Sequence, residues 1–201
     1  DGGTLRLYQA SPTGGFFLES VAETAVQDGL WSDVGETLAV GDFDGNGVEE
    51  FAILDTNGAD ASELRIYRID PTTHQFVLMA SRAWPVDPAP DPLAHGYSLA
   101  AGDLNGDAVD ELVYGGMEYN TTTSLEKVPL YIFVLQDEGT GWSLEWTYMR
   151  EYDCPSYTQC AHAVSVANVD GAGPDELATA YVWRTIFDPN DGTVWTNAYG
   201  I

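Results

Sequence analysis

The chain has 201 residues, and 7 Lys and Arg stand against 32 Asp and Glu, a formal charge of −25. That length fits one domain or two small ones. The charge argues against nucleic acid, whose phosphates a binder must neutralise with Lys and Arg, and against an anionic membrane surface.

Hydrophobic residues make up 44% and aromatics 12%, which separates the chain from an acidic disordered tail. No apolar run approaches the roughly 18 residues that span a bilayer, so membrane insertion is not expected. No signal peptide is visible and Asp1 is not a start residue, so a processed or excised piece of a larger precursor is expected.

In chain order, Leu5-Arg-Leu-Tyr and Phe16-Phe-Leu-Glu come first, two short runs with apolar residues at alternate positions. That is strand chemistry. The same pair returns as Leu64-Arg-Ile-Tyr with Phe76-Val-Leu-Met, and as Leu130-Tyr-Ile-Phe with Trp142-Ser-Leu-Glu.

A second repeated element lies between these pairs. The segments 38–51, 99–112 and 164–177 align without gaps, and their loops begin at Asp42, Asp103 and Asn168, steps of 61 and 65 residues. No stretch shows helical apolar spacing with caps. The middle repeat predicts strands near Ser98–Gly102, Glu111–Gly115, Pro129–Leu135 and Trp142–Tyr148.

Each repeat therefore reads as four antiparallel strands in about 60 residues, the size of a β-propeller blade. The fold expected is all-β, one partial propeller over 1–201. Its blade segments are 1–30 (strands 3 and 4), 36–84, 97–149 and 162–201 (strands 1 and 2 and part of a third). A large β-sandwich is the alternative. Joining the incomplete first and last segments would give only about three blades, fewer than the roughly four to eight of known propellers, so a piece of a larger propeller or an open stack is expected.

The loops between strands 1 and 2 carry the chemistry. In the first, Asp42, Asp44 and Asn46 take positions 1, 3 and 5, the Val48 carbonyl position 7 and Glu50 position 9. In the second the same positions are Asp103, Asn105, Asp107, Val109 and Glu111. Alternate side chains of a tight loop converge on one point, and an oxygen-only ligand set suits Ca²⁺ better than zinc or magnesium.

The third loop keeps Asn168, Asp170 and Glu176 but has Ala172 at position 5, so weak or no binding is expected there. One such loop reads equally as a solvated acidic turn; three aligned copies favour metal. An EF-hand needs a Glu at position 12, where these loops have Ile53, Tyr114 and Thr179.

Gly41-Asp-Phe-Asp-Gly-Asn-Gly and Gly102-Asp-Leu-Asn-Gly-Asp, each followed by an acid and an apolar strand, resemble FG-GAP/VCBS repeats, as in the integrin α-subunit propeller and many bacterial extracellular proteins. The resemblance implies a calcium-bearing propeller that is extracellular or at the cell surface, with the two ligand sets named above. It implies no single activity.

Binding is expected on the longer connections at the opposite end: 22–36, 83–97, 115–128, 149–162 and 183–193. Variable loops on a rigid scaffold are the usual seat of recognition. The candidate contacts are Trp31, Trp84, His95, Tyr97, Tyr157 and His162, suited to stacking on a glycan or packing on a protein. Packing between blades is the competing role for any one of them.

Cys154 and Cys160 bracket one such loop, and in an extracellular protein a disulfide between them is expected. A carbohydrate-active enzyme, such as part of a polysaccharide lyase, is the alternative function, with His95 or His162 as base. The scarcity of cations to neutralise a uronate carboxylate makes catalysis the weaker reading. A self-assembling structural protein is a third reading, because open sheet edges can pair between chains.

Overall fold

The computed structural model describes residues 2–27, 38–56, 62–83, 98–115, 118–120, 125–154, 158–185 and 197–200. Among these the chain is all-β, with antiparallel pairing throughout and no helix. The strands are β1 (Gly2–Ala10), β2 (Phe16–Gln27), β3 (Leu38–Gly41), β4 (Glu50–Thr56), β5 (Ser62–Ile69), β6 (Phe76–Ala83) and β7 (Ser98–Gly102). They continue with β8 (Glu111–Gly115), β9 (Glu118–Asn120), β10 (Leu125–Asp137), β11 (Trp142–Cys154), β12 (Thr158–Ala167), β13 (Glu176–Thr185) and β14 (Asn197–Gly200).

Four sheets follow one another along the chain. β1 and β2 form a hairpin; β3-β4-β5-β6 is a four-stranded meander; β7-β8-β10-β11 is a second, with β9 also paired to β10; β12-β13-β14 is a three-stranded sheet. In a meander the β3–β4 and β5–β6 connections share one end of the sheet, so the acidic loop after β3 lies at the same end as the tight turn at 70–75. That turn is closed by Asp70, whose Oδ1 accepts the Thr72 and Thr73 amides at 2.8 Å each. His74 is exposed in it at φ 57°.

Several strands outrun the sequence expectation. The connection expected over 149–162 is mostly ladder: Arg150–Cys154 pair with residues 126–130 of β10, and Thr158–His162 pair with residues 181–185 of β13. Apolar alternation lapses through Arg150, Glu151 and Asp153, yet backbone pairing does not require an apolar side chain at every second position. His162 and Cys160 thus sit in a strand, and Cys154 ends another. The side chains of all three, and with them the cysteine pairing, lie outside the described residues. So do Trp31, Trp84, His95, Tyr97 and Tyr157.

The sheets stack face to face. β2 lies against β4, β3 against β7, β6 against β11, and β12 against β7 and β8. One core runs between the two meanders, built from Ala39, Phe43, Ala52, Leu54, Leu64 and Ile66 on one side and Leu99, Leu112, Tyr114, Tyr131 and Phe133 on the other. A second core joins Val113 and Leu130 to Val164, with Ala100, Ile132, Val166 and Leu177 around them. The Arg82 guanidinium also donates to the Leu144 carbonyl across the β6–β11 contact.

The first strand of each unit has a small face and a larger one. Gly41 faces the next sheet so closely that a Cβ there would lie 2.8 Å from the Ala101 Cβ and 2.8 Å from an Asp110 carboxylate oxygen. A Cβ on Gly102 would collide with Val166 and lie 2.6 Å from an Asp175 oxygen. Glycine is required at both positions by this approach, because any side chain would push the sheets apart.

The loops enter the core as well. Phe43, at position 2 of the first loop, is 1% exposed, whereas its counterpart Val169 in the third loop is 78% exposed. Phe43 is covered by the sheet that follows it. Phe43→Ala should therefore cost about 3–5 kcal/mol in urea unfolding, and Val169→Ala less than about 0.5 kcal/mol. Equal effects at the two positions would contradict the stacking described.

Candidate metal centre

The residues between β3 and β4 are folded by their own side chains. Asp42 accepts the Asn46 amide on Oδ1 at 3.0 Å and the Gly47 amide on Oδ2 at 2.7 Å. Asp44 Oδ1 accepts Asn46 N–H at 3.1 Å, and Asn46 Oδ1 accepts Val48 N–H at 2.8 Å. Short polar side chains that bond backbone two to five residues on are what wind such a turn. Gly45 and Gly47 supply the positive φ values, 71° and 83°.

Glu50 closes the site from below. It is 1% exposed. Its Oε2 accepts the Phe43 amide at 3.0 Å, but Oε1 is buried with no hydrogen-bond partner. A carboxylate oxygen of each of Asp42, Asp44 and Glu50 lies within 4.8 Å of the other two. Burial, and then the negative charge of Asp44, push the Glu50 carboxyl up to about 7.

A buried, unpartnered carboxylate oxygen beside two further carboxylates is costly without a counter-charge. The donor set is oxygen only, so the residues fit a hard divalent cation of the calcium type. Asp42, Asp44 and Glu50 would hold it, and the ion would supply the charge neutralisation that these residues lack.

The second loop has the same winding. Asp103 accepts Gly106 N–H at 2.6 Å and Asp107 N–H at 3.1 Å on Oδ1, and Ala108 N–H at 2.9 Å on Oδ2. Burial pushes its carboxyl up, but these donations prevail and hold it below the usual carboxylate range. Asp107 Oδ1 accepts Val109 N–H at 2.9 Å.

The difference is at position 3. Asn105 Nδ2 donates to Glu111 Oε1 at 2.7 Å, while its Oδ1 accepts the Asp107 amide at 2.9 Å. Glu111 Oε2 takes the Leu104 amide at 2.8 Å. The buried Glu111 is thus satisfied on both oxygens, although burial still raises its carboxyl. An ion at this loop must displace the Asn105 amide from Glu111, so the two loops expected as equals differ.

The third loop repeats the backbone hold without the cluster. Glu176 Oε2 accepts Val169 N–H at 2.8 Å, Asp170 Oδ1 accepts Ala172 N–H at 2.8 Å, and Asn168 Nδ2 donates to the Gly173 carbonyl at 3.0 Å. Glu176 is exposed. Among the described residues, the Asp42–Asp44–Glu50 group is the one acidic triad close enough to hold a metal. Val48 and Val109 were expected through their carbonyls. The Val48 side chain is exposed, and a Cβ on Gly45 of the first loop would lie 2.8 Å from Val109 Cγ2.

Sequence reasoning missed two residues. Asp110 and Asp175 occupy position 8 of the second and third loops, and each reaches back to the loop before it. Asp110 Oδ2 accepts the Asp42 amide at 2.9 Å, and the Asp110 amide donates to the Asp42 carbonyl at 2.9 Å. Asp175 Oδ2 accepts the Asp103 amide at 3.2 Å, and its amide donates to the Asp103 carbonyl at 2.7 Å. An acid repeated at position 8, beside the ligand at position 9, was the available signal. Comparison of the chain with protein-family models, curated proteins and solved structures returned no match.

Because the Glu50 carboxyl is raised from 4.5 to about 7 in the folded chain, the ion-free fold binds a proton that the unfolded chain releases. Ion-free stability is then highest below about pH 4.5 with respect to this group and falls as pH rises through about 7, by up to roughly 3 kcal/mol. In chelator, Glu50→Gln should abolish most of that slope and raise stability at pH 8. In calcium it should remove the ion's contribution at this loop. Urea unfolding at pH 5 and pH 8, with and without calcium, checks both signs.

Proposed function

We propose that the chain is a calcium-stabilised run of β-propeller blades of the FG-GAP/VCBS kind, outside the cytoplasm, that binds a glycan or protein partner. The observation that carries the ion is the unpartnered Glu50 Oε1 beneath Asp42 and Asp44. The propeller reading rests on consecutive four-stranded meanders that stack in chain order. Single blades cannot bury both faces, and radial stacking buries them.

The ion's role is structural in this reading. It neutralises carboxylates at the end of the blades opposite the longer connections, which leaves those connections free for recognition. The surplus of acids favours a neutral or cationic partner and disfavours nucleic acid. Among the described residues no helix is long and apolar enough to cross a membrane.

Self-association is a second reading with its own observation. Leu38 and Val40 on β3 are 48% and 47% exposed, and the outer face of β12 presents the exposed small residues Ala163, Ser165 and Ala167. Within the chain, Leu99 and Ala101 meet Ala39 and Gly41 in that large-on-small manner. Ala167, where the earlier units have glycine, requires a wider separation between copies. Light scattering across a concentration series should show association that Val40→Lys abolishes; a concentration-independent monomer excludes this reading.

Calcium of the extracellular kind, with Kd near 10⁻⁴–10⁻³ M, adds about 0.4–1.4 kcal/mol per site at roughly millimolar ion. Chelation should lower the melting temperature by a few degrees, and Asp44→Ala should remove most of the response. A glycan array probed with and without calcium should show binding without turnover. Uronic-lyase activity that His95→Ala or His162→Ala abolishes would replace the binding reading with an enzymatic one.

A further inference from the structure

The acidic loops mesh with one another, and the mesh is directional. In both described interfaces the later loop reaches back. Its position-8 carboxylate accepts the amide of the earlier loop's first ligand residue: Asp110 from Asp42, Asp175 from Asp103. The same two residues are tied by a second bond from the position-8 amide to the position-1 carbonyl. The position-7 side chain of the later loop lies over the position-4 glycine of the earlier one: a Cβ on Gly45 would lie 2.8 Å from Val109 Cγ2, and one on Gly106 would lie 3.1 Å from Pro174 Cγ. Position 8 of the first loop, Glu49, is exposed.

We infer that Asp110 and Asp175 are positioning residues for ion binding, so that the affinity of the first and second loops for a divalent cation is set by the loop that follows each. The inference rests on the calcium reading above. Asp42 offers its side chain to the ion only if its backbone is held in the orientation that brings Oδ1 and Oδ2 over the loop. The Asp110 carboxylate and amide hold both polar groups of that backbone unit from outside the loop. A donor restrained in this way loses less freedom when the ion arrives. Asp110 does not itself join the acidic triad, which comprises Asp42, Asp44 and Glu50.

The test separates positioning from plain charge. Calcium chloride is titrated into ¹⁵N-labelled protein, and two amides report the loops separately: Gly47, bonded to Asp42 Oδ2, and Ala108, bonded to Asp103 Oδ2. Asp110→Ala should weaken the Gly47 response about tenfold and leave the Ala108 response within roughly twofold, the size of effect expected for one lost hydrogen bond to a charged group. Asp175→Ala should do the reverse. Asp110→Asn keeps an acceptor for the Asp42 amide and discards the charge, and it should restore the Gly47 response to within about threefold of the parent.

If Asp110→Ala weakens both loops alike and Asp110→Asn is equally damaging, the effect is long-range charge and the inference fails. If Asp110→Ala does not fold, the Asp175→Ala arm decides the matter at the other interface. A parent protein whose Gly47 amide ignores millimolar calcium overturns the calcium reading instead. The clamp is then judged by hydrogen exchange, where the Asp42 amide should exchange at least tenfold faster in Asp110→Ala than in the parent, because that variant removes its acceptor. Unchanged exchange of that amide in Asp110→Ala overturns the clamp outright.

Discussion

A carboxylate sealed under a hairpin is the constraint on which the structure turns. In all three acidic loops the position-9 glutamate accepts the amide at position 2: Glu50 from Phe43, Glu111 from Leu104 and Glu176 from Val169. That bond pins the loop to the start of the second strand. In the first loop it also draws Glu50 and Phe43 together into the core. The carboxylate is thereby cut off from water, and its other oxygen needs a partner. The first loop offers two more carboxylates, whose charge a bound cation would neutralise. The second offers the Asn105 amide, which satisfies the glutamate from within the protein.

Stacking depends on the same loops. Two sheets approach closely where the first strand ends in glycine, at Gly41 and Gly102, and there the position-8 aspartate of the next loop bonds the backbone of the loop before it. Burial of Phe43 follows from being covered by the next sheet; exposure of Val169 marks the face of the third loop that the described residues leave open. The acids of the loop windows thus divide by position: Asp42, Asp44 and Glu50 converge on one point, and Asp110 and Asp175 tie each loop to the one before it. Their mutual repulsion is offset by backbone amides, which supply partial positive charge at every turn of the loops.

Much of this was legible in the sequence, for reasons that can be named. Alternation in Leu64–Tyr67 and Leu130–Phe133 declares strands because half-buried sheets need it. The Asp/Gly/Asn loops declare themselves because few residue types can wind a turn with their own side chains. The strands over 150–154 and 158–162 were missed because charged and polar residues interrupt the alternation while the ladder continues. The Asp44-to-Asn105 exchange was visible as letters, but its consequence depends on a 2.7 Å contact. Asp110 and Asp175 were overlooked because their partners lie one whole repeat earlier, beyond any local pattern.

The central claim is that the first loop is built around a divalent cation. Long-wavelength anomalous diffraction from crystals grown in calcium tests it directly. The account predicts an anomalous peak bounded by the Asp42, Asp44 and Glu50 carboxylates, with oxygen contacts of about 2.3–2.6 Å. A protein or solvent hydrogen-bond donor seated on Glu50 Oε1, with no anomalous signal in millimolar calcium, would contradict it.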